Sequence, residues 1–415
     1  MRLAALISVM VVTTLAYSTD FSTTETVITE EGALENFVKG NLQFTAKLYN
    51  EVLRENPNKN FIFSPFSIEV ILALTRAGAK GLTANEFSSA LNFPSEKETE
   101  MALKKYLPTL KSTDEGVKLL SANKLYLGKQ FKILDSFKSL AVNTFNADIE
   151  NVDFAQGAEA AEKINNWVEN QTNNKIKDLI SPDAINVLTR LILVNALYFS
   201  GKWAFPFEKD TRKEKFYLSN TKSKEVDMMY IEESFRYHEN RKLNAKFLEL
   251  PYEAENVSMI VVLPNEREGL ASLEANLEEV LRPQPLDWQR VYVKMPSFLV
   301  ESELKLKPIL QRLGVRTAFS DYADLSGISA EALKIDDVFQ KAFINVTTAG
   351  TEAAAATFVR KPIKPINFLE PEAVVFMDHP FIYYIRTRSN VTLLAGSVRH
   401  FKDYYDYFYK NPLKK

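Results

Sequence analysis

The chain of 415 residues contains no cysteine and only three histidines, His238, His379 and His400. The missing cysteines exclude a thiol nucleophile, a disulfide framework and thiolate metal ligands. None of the histidines stands in a spacing that binds zinc. The nucleophile motif G-x-S-x-G, the phosphate-binding G-x-x-x-x-G-K-[ST] and the dinucleotide fingerprint are missing as well. We therefore expect neither an enzyme nor a cofactor or metal site.

The sequence also lacks an excess of charge and, apart from its N-terminus, any long apolar run. Basic and acidic residues number 51 and 53, which leaves a net charge of −2. No global field therefore points to a nucleic acid or to an anionic membrane. The content of 46% hydrophobic and 25% charged residues is that of a globular chain able to bury a large core.

The first residues have the pattern of a secretory signal peptide. Arg2 precedes an apolar run from Leu3 to Val12, and small residues follow as far as Ala16 or Ser18. This run is too short to span a bilayer, so we expect a signal peptide over 1–16 and secretion to the extracellular space. The glycosylation candidates are the four N-x-[ST] sequons at Asn170, Asn256, Asn345 and Asn390.

Apolar spacing predicts a first half rich in helices and a second half rich in strands. After a polar leader over 17–40, we expect an amphipathic helix over 41–53 and a buried helix that starts at Ser64. Further helical patterns cover 83–91, 96–110, 133–143 and 158–172. The predicted strands include KLLSANKLYLG, LILVNALYFSGKW, KFLELPY, SMIVVLP and VYVKMPSF. This order favours an α+β fold with large antiparallel or mixed sheets.

Two features near the C-terminus allow more than one interpretation. His379, between Asp378 and Pro380, suggests either a proton relay or a turn residue bonded to the backbone, and we favour the turn residue. The tail over 401–415 consists of Phe401 followed by KDYYDYFYKNPLKK, which contains four tyrosines and a further phenylalanine. Its rings either remain on the surface of the domain or form a docking patch for a partner.

The stretch AGTEAAAATFVRKPIKP, residues 349–365, fits poorly to a helix despite its four consecutive alanines. A run of this length does not offset helix nucleation, and Pro362 and Pro365 would end the helix. The alternative is a segment of small side chains that inserts between strands.

Several stretches in order resemble the serpins, a superfamily of serine protease inhibitors. They are NFIFSPFSI, LVNALYFSGKWAFPFEKDTR, LPY, MIVVLP, ADLSGIS, QKAFINV, GTEAAAAT and DHPFIYYIR. The resemblance covers residues 40 to 400 and implies one domain over 41–400, with three β-sheets and about nine helices. It also implies a monomer with an exposed reactive loop over about 350–370, which a protease cleaves and which then inserts into the central sheet.

The resemblance assigns the start of the loop as a hinge. The hinge residues are Gly350, Thr351, Glu352, Ala353, Ala354, Ala355, Ala356 and Thr357. Because strand side chains alternate, Thr351, Ala353, Ala355 and Thr357 would face the packed side of the sheet, where small residues enter without overpacking. The glutamate that usually stands two residues before the hinge glycine is Thr348 here.

Five other positions match residues that control opening of the sheet in this family. They are Ser64, Ser67, Asn195, Gln340 and Trp203. Gln340 stands where many members have a histidine, so it forms hydrogen bonds but cannot titrate. Asn345 falls in a strand expected to be buried, where its sequon would stay unmodified.

Two counts place the scissile bond differently. About fourteen positions after Gly350 is Lys364, whereas about eleven positions before Pro380 is Leu369. Lys364 suits a trypsin-like pocket, although Pro365 follows it; Phe368 or Leu369 suits a chymotrypsin-like pocket and Ile363 an elastase-like one. The candidates at the scissile bond are Arg360, Ile363, Lys364, Pro365, Phe368, Leu369 and Glu370.

The leading prediction is a secreted inhibitor of serine proteases. A non-inhibitory binding or carrier protein of the same fold is the alternative, because Pro362 and Pro365 cannot donate to a sheet ladder. Inhibition of a papain-like cysteine protease also remains open. A polyanion bound by Arg360, Lys361 and Lys364 is less favoured than a solvated basic loop.

Overall fold

A computed structural model of the chain describes residues 28–110, 116–254, 256–351 and 371–401. These residues form nine α-helices and two hydrogen-bonded sheets, so the expected α+β class is confirmed. The helices are α1 Glu30–Glu55, α2 Pro65–Ala77, α3 Gly81–Leu91, α4 Glu96–Leu110, α5 Asp135–Asn143, α6 Gly157–Gln171, α7 Leu270–Glu274, α8 Leu277–Leu281 and α9 Leu306–Leu313. Short 3-10 helices lie at Pro182–Ala184 and Thr317–Phe319. The expected signal peptide and the tail beyond Phe401 lie outside the described residues.

A six-stranded sheet contains the strand order β10-β11-β12-β4-β2-β3, with a direct pairing of β11 and β4 as well. Its strands are β2 Val117–Gly128, β3 Asp148–Val152, β4 Leu191–Lys202, β10 Phe298–Lys305, β11 Ile335–Thr347 and β12 Gly350–Thr351. As the sequence predicts, β4 is buried on both faces. Leu193, Leu197 and Phe199 belong to the main core, while Val194 and Tyr198 belong to a second cluster with α6.

A nine-stranded sheet has the order β1-β15-β14-β8-β7-β6-β9-β13, with β5 paired to β6. Its strands are β1 Phe61–Phe63, β5 Arg212–Tyr217, β6 Ser223–Asn240, β7 Ala245–Pro251, β8 Val257–Pro264, β9 Asp287–Pro296, β13 Ala373–Phe376, β14 Phe381–Thr387 and β15 Thr392–Val398. Hydrogen bonds along the 18-residue strand β6 join two of the three expected sheets, because its first part pairs with β5 and its last part with β7.

The predicted leader over 17–40 is wrong for its last part, because α1 begins at Glu30 rather than at Asn41. Thr29 caps the helix by accepting a hydrogen bond from the Gly32 amide at 3.1 Å. Glu30 and Glu31 carry negative charge in the first turn, where the helix dipole favours it. The polar residues of this segment lie on the exposed side of a helix whose other side buries Ala33 and Phe37.

The start of α2 and the setting of His379 agree with the sequence. Ser64 caps α2 by accepting from the Ser67 amide at 3.1 Å, and Pro65 occupies the first turn. His379 lies in a turn, where Nε2 contacts the Pro264 carbonyl oxygen at 2.8 Å and Nδ1 contacts the Asp378 carboxylate at 2.7 Å. No described helix combines the length and the apolar character that a membrane crossing requires.

Candidate functional site at the opening of the six-stranded sheet

The short strand β12 lies between β11 and β4 at one end of the six-stranded sheet. It pairs antiparallel with β11 through Val346 and Thr347, and antiparallel with β4 through Gly201 and Lys202. Beyond this point β11 and β4 pair directly with each other in parallel, from Ile335 to Phe343. Among the described residues, the two residues of β12 separate β11 from β4 at this end of the sheet, whereas the same two strands pair directly farther along.

Gly350 occupies a position that only glycine fits. Its φ of 153° lies outside the range of ordinary L side chains, and an added Cβ would lie 2.2 Å from the Gly201 carbonyl oxygen. The Gly350 carbonyl oxygen accepts a hydrogen bond from the Thr347 hydroxyl at 2.9 Å. The sequence-predicted hinge glycine thus marks the point at which the chain enters the sheet.

Thr351 is fully buried, and its hydroxyl lies 2.8 Å from the Tyr252 hydroxyl. The Tyr252 ring stacks on Trp203 with centroids 4.6 Å apart, and burial raises the pKa of Tyr252 above its ordinary value. A Cβ on Gly201 would meet the same ring at 2.7 Å, so glycine is needed there for packing. The start of β12 therefore packs against Tyr252, which in turn stacks on Trp203.

Backbone contacts hold the turn between β11 and β12 without the glutamate of the family pattern. The Trp203 indole donates to the Thr347 carbonyl oxygen at 3.0 Å, and the Trp203 amide donates to the Ala349 carbonyl oxygen at 3.2 Å. The Phe207 amide donates to the Thr348 carbonyl oxygen at 2.9 Å. Because all three acceptors are backbone atoms, Thr348 can replace a glutamate without loss of these anchors.

A buried polar network lies farther down the junction of β11 and β4. Gln340 and Asn195 are register partners across this junction, and Gln340 Nε2 donates to Asn195 Oδ1 at 2.5 Å. Gln340 also accepts from the Ser64 amide at 3.0 Å and donates to the Ser64 carbonyl oxygen at 3.1 Å. Asn195 Nδ2 donates to the Ser67 hydroxyl and, at 2.6 Å, to Asn123 Oδ1. Each polar group of Gln340 is therefore satisfied inside the core.

The start of α2 supports this network from below. The Ser64 hydroxyl donates to the Leu393 carbonyl oxygen at 2.7 Å, which ties α2 to β15. The Ser67 hydroxyl lies 2.8 Å from that of Ser121 on β2. The four sequence-predicted polar residues are thus brought together, whereas Trp203 lies at the open end beside β12. Their control of sheet opening stays a prediction.

The other predicted site residues are the rest of the hinge, the scissile-bond candidates and the four sequons. The hinge from Glu352 to Thr357 and every scissile-bond candidate over 360–370 lie outside the described residues. Among the sequons, Asn170 and Asn256 are exposed, Asn390 is half-buried with a φ of 66°, and Asn345 is half-buried in the middle strand β11. Glycosylation at these positions stays a prediction.

Sequence reasoning assigned no role to Tyr252, Gly201, Asn123 or Ser121. Tyr252 and Gly201 stand in the quoted motifs LPY and FSGKW, so the motifs alone could have singled them out. Asn123 and Ser121 lie on β2 beside Asn195, a contact that only the pairing of β2 with β4 reveals. Among the residues that the structure describes, no group of three or more His, Asp or Glu side chains forms a metal site.

Comparison with a family model places residues 39–401 in the family described as Serpin (serine protease inhibitor). The chain is 36% identical over 376 residues to antichymotrypsin-2 of Bombyx mori, with 88% of this chain and 98% of that protein covered. The solved structure of Serpin48 from the insect Tenebrio molitor, a serpin described as highly specific, superposes on this chain with a TM-score of 0.82. The two sequences are 41% identical, and the match covers 89% of this chain and 99% of the Serpin48 chain.

Human thyroxine-binding globulin, solved in complex with thyroxine, has a TM-score of 0.80 and 28% identity, with 89% of this chain and 99% of that chain covered. The names of the sequence relatives support protease inhibition as the general function and a protease as the partner. Membership of an inhibitor family also agrees with the expectation that the chain is not an enzyme.

Proposed function

Because the chain belongs to the serpin family, we propose that it is a secreted, monomeric inhibitor of serine-type endopeptidases that traps its target by inserting a cleaved loop into the six-stranded sheet. The observation that carries this proposal is β12, which already lies between β11 and β4. A cleaved loop would continue a strand that has begun, rather than start a new one.

The register of β12 determines which loop residues would face the core. Thr351 pairs with Gly201 on one side and with Val346 on the other, and its side chain points to the buried Tyr252. Side chains of a strand alternate, so every second residue after Thr351 would point to the same core.

The next core-facing position would have no room for a large side chain. If the pairing of β12 with β4 and β11 continued for two residues beyond Thr351, Ala353 would lie between Phe199 and Ile344. Both of these residues are fully buried in the main core. Ala355 follows on the same face. A larger residue at either position would overpack the core at a cost of about 1–3 kcal/mol. The run of alanines is therefore suited to insertion.

Thr357 would arrive at the buried polar network. The same register places it between Asn195 and Gln340, whose direct hydrogen bond must break when a strand separates β11 from β4. A threonine hydroxyl both donates and accepts, so it can replace that bond. Ser64, Ser67 and Asn123 already hold the outer hydrogen-bonding groups of the two amides.

The trap would act on the acyl-enzyme. The protease serine attacks the scissile carbonyl, and the bond to the leaving amine breaks while the new ester joins the protease to the loop. Insertion of the freed loop then draws the attached protease along the sheet before water can attack the ester. If the scissile bond follows Lys364 rather than Leu369, the segment that links the sheet to the protease is five residues shorter.

Neither the loop nor the relatives select the protease. Relatives of equal identity are named antichymotrypsin-2 and antitrypsin, which refer to different specificity pockets. The candidates therefore remain Lys364 for a trypsin-like pocket, Phe368 or Leu369 for a chymotrypsin-like pocket and Ile363 for an elastase-like one.

A non-inhibitory carrier is the second candidate function. Human thyroxine-binding globulin, whose name states that it binds thyroxine, shares this fold. Pro362 and Pro365 in the loop also favour this candidate, because proline cannot donate to a sheet ladder. The small residues over 353–356 favour inhibition instead.

The variant Thr351→Arg tests the proposed insertion of the loop. Glu352→Arg, a substitution at the neighbouring residue, is its control. The secreted parent and both variants are incubated with trypsin-like, chymotrypsin-like, elastase-like and subtilisin-like proteases, together with a papain-like one. Covalent complexes are detected on a denaturing gel, and the released C-terminal peptide is weighed. Arginine at 351 would bury a charge beside Tyr252, whereas arginine at 352 replaces one charged residue with another on the opposite face.

We expect the parent and Glu352→Arg to form a complex with at least one serine-type protease. We expect Thr351→Arg to be cleaved by that protease without a complex. A peptide beginning at Pro365 or at Glu370 would decide between the two counts. Cleavage of the parent without any complex would contradict inhibition and favour the carrier, and complexes with the papain-like enzyme alone would contradict the serine-type assignment.

A further inference from the structure

Trp288, the second residue of β9, exposes its side chain at the surface of the nine-stranded sheet. It is 63% exposed, whereas Trp203 is buried and Trp167 is half-buried. An exposed indole leaves a large apolar area in contact with water, and tryptophan is enriched among the residues that dominate the energy of interfaces. Trp288 is therefore a candidate contact for another molecule.

Trp288 belongs to an apolar face formed by β9 and β13. Residues alternate along a strand, so Trp288 and Tyr292 lie on the same side of β9. Val374 pairs with Tyr292, and Phe376 lies two residues farther along β13 on that side. Val374 is 41% exposed and Phe376 is 38% exposed. We call these four residues the β9–β13 face, and exposed apolar side chains grouped in this way mark an interaction site.

The basic neighbours of Trp288 already have acidic partners. Arg236, its register partner on β6, pairs with Glu249 at 3.3 Å. Arg290, two residues along β9 on the same side, pairs with Glu232 at 2.7 Å. These ion pairs leave apolar area, rather than an unpaired charge, for a partner to contact. We therefore expect binding at this face to depend only weakly on salt concentration.

The β9–β13 face lies where the chain returns from the loop. The Glu372 amide donates to the Arg290 carbonyl oxygen at 2.9 Å, and the parallel pairing of β13 with β9 begins one residue later, at Ala373 and Val291. Trp288 precedes Arg290 by two residues, or about 7 Å along the strand. Because the two strands are parallel, Trp288 lies on the side from which the loop arrives.

The covalent chain limits how far the scissile bond can lie from this face. A chain extends by at most about 3.6 Å per residue, so the Leu369 carbonyl lies within about 7 Å of Pro371 and the Lys364 carbonyl within about 25 Å. A protease domain of about 200 residues is about 40 Å across. Under either count, a protease bound at the scissile bond is therefore large enough to reach Trp288.

We propose that Trp288 and the β9–β13 face form a second contact for the target protease, outside the cleft that holds the scissile bond. The proposal rests on the proposed function, because that function makes the partner a protease. The contact is with apolar side chains beside the part of the cleft that binds residues after the scissile bond. It distinguishes proteases that share a specificity pocket but differ on this surface.

Photo-cross-linking in the full chain tests the contact directly. Trp288 is replaced by p-benzoyl-phenylalanine, and the control carries the same replacement at Tyr322, which is 90% exposed. Asp321 pairs with Arg190, so Tyr322 lies near the end of β4 opposite to β12. Each variant is irradiated with the serine-type protease, among those named above, that attacks the loop fastest. Its catalytic serine is replaced by alanine, so that it binds without cleaving.

We expect cross-links to the protease from position 288 and none from position 322. Equal cross-linking from both positions would overturn the proposal, because the contact would then not be specific to this face. Cross-links from position 288 to a second copy alone, or to nothing, would also overturn it.

The rate of attack on the loop gives a second readout. Trp288→Ala and Tyr322→Ala are compared with the parent by the second-order rate constant at which active protease consumes the intact chain, whether into a complex or into a cleaved product. We expect Trp288→Ala to lower this constant about tenfold at both low and high salt, and Tyr322→Ala to leave it unchanged. Equal constants for the parent and Trp288→Ala would overturn the proposal, whereas cleavage without a complex would contradict the proposed function alone.

Discussion

Glu69 is a carboxylic acid buried two residues beyond Ser67 in α2. Only 1% of it is exposed, and Oε2 accepts a hydrogen bond from Asn41 Nδ2 at 2.7 Å. Asn41 in turn accepts from the Thr392 amide at 2.7 Å, so this contact joins α1, α2 and β15. Burial raises the pKa of Glu69 from 4.5 to about 8, and the hydrogen bond from Asn41 opposes this shift only in part.

The first prediction concerns the pH dependence of stability at Glu69. The folded chain retains a proton that the unfolded chain loses, so the free energy of unfolding falls as the pH rises from about 4.5 through about 8. The loss is about 5 kcal/mol once the pH lies above the pKa of the folded chain. Glu69→Gln should remove this decline and raise the stability above that of the parent at alkaline pH.

Urea unfolding followed by circular dichroism at both ends of this pH range measures the effect. Glu96→Gln, at an exposed position at the start of α4, controls for the loss of one acidic side chain. If the parent and Glu69→Gln show the same pH dependence, then Glu69 does not stay protonated in the folded chain.

The second prediction is that Gly350→Ala expels β12 from the sheet. An alanine would place its Cβ against the Gly201 carbonyl oxygen and strain the backbone by about 1–3 kcal/mol. Hydrogen exchange of the Gly201 amide should become about tenfold faster, which corresponds to about 1.4 kcal/mol, because Gly201 pairs with Thr351. The Lys202 amide donates to the Gly116 carbonyl oxygen at 2.8 Å and serves as the reference. Gly314→Ala is the control, since Gly314 has a φ of 112° with no atom within 4 Å of the added Cβ. Equal exchange in both variants would show that β12 is not held at Gly350.

For single residues, the sequence predicted a hinge at Gly350 and a set of polar positions, but not the side chains that they contact. The motif around Gly350 predicted a hinge, because glycine permits backbone angles that other residues avoid. The contact of Thr351 with Tyr252 joins residues far apart in sequence, and no local pattern contains that information. Trp203 was assigned to the entry point, and its stacking on Tyr252 became visible only in the structure.

Among the elements, β11 and β4 form the junction on which the account depends. They pair directly over much of their length, and Gln340 and Asn195 bond across the middle of this pairing. Separating them would leave buried amide groups unpaired, at about 1–3 kcal/mol for each group. An inserted strand must therefore bring its own hydrogen-bonding groups to this level.

The third prediction tests the hydroxyl that would reach this level. Thr357→Val keeps the shape of the side chain and removes its hydrogen bonds, so the inserted state should lose about 1–3 kcal/mol. Because the inserted state is then less stable, the complex should release active protease faster, as measured by the return of activity on a peptide substrate. Thr221→Val, in the exposed turn between β5 and β6, is the control. Equal release from both variants would place Thr357 away from the network.

Element types followed from apolar periodicity, while element boundaries depended on capping and pairing. The predicted helices over 83–91, 96–110, 133–143 and 158–172 agree closely with α3 to α6. The start of α1 was missed because the acidic residues near Glu30 read as a loose leader, although their charge suits a helix N-terminus. The sequence did not predict that β6 joins two sheets, because apolar periodicity does not specify which strands form hydrogen bonds with each other.

For the whole molecule, the proposed mechanism implies that the six-stranded sheet stores free energy at the end where β12 lies. Of the residues that the structure describes, Gly350 and Thr351 lie between β11 and β4, and the register beyond them leads to buried positions suited to small side chains. The same chain with a fully inserted strand would gain ladder hydrogen bonds on both sides of that strand. Under the proposed mechanism, the uncleaved state is the less stable of the two arrangements and is held by the covalent continuity of the loop.

The melting midpoint before and after cleavage of the loop tests this central claim most directly. The parent and Thr351→Arg are cut by a protease that the released peptide shows to cleave within 358–370, and each is heated with circular dichroism as the signal. We expect cleavage to raise the melting midpoint of the parent by more than about 10 °C, because each kcal/mol gained corresponds to a shift of a few degrees. Thr351→Arg should gain little. An unchanged or lower midpoint in the cleaved parent would contradict loop insertion.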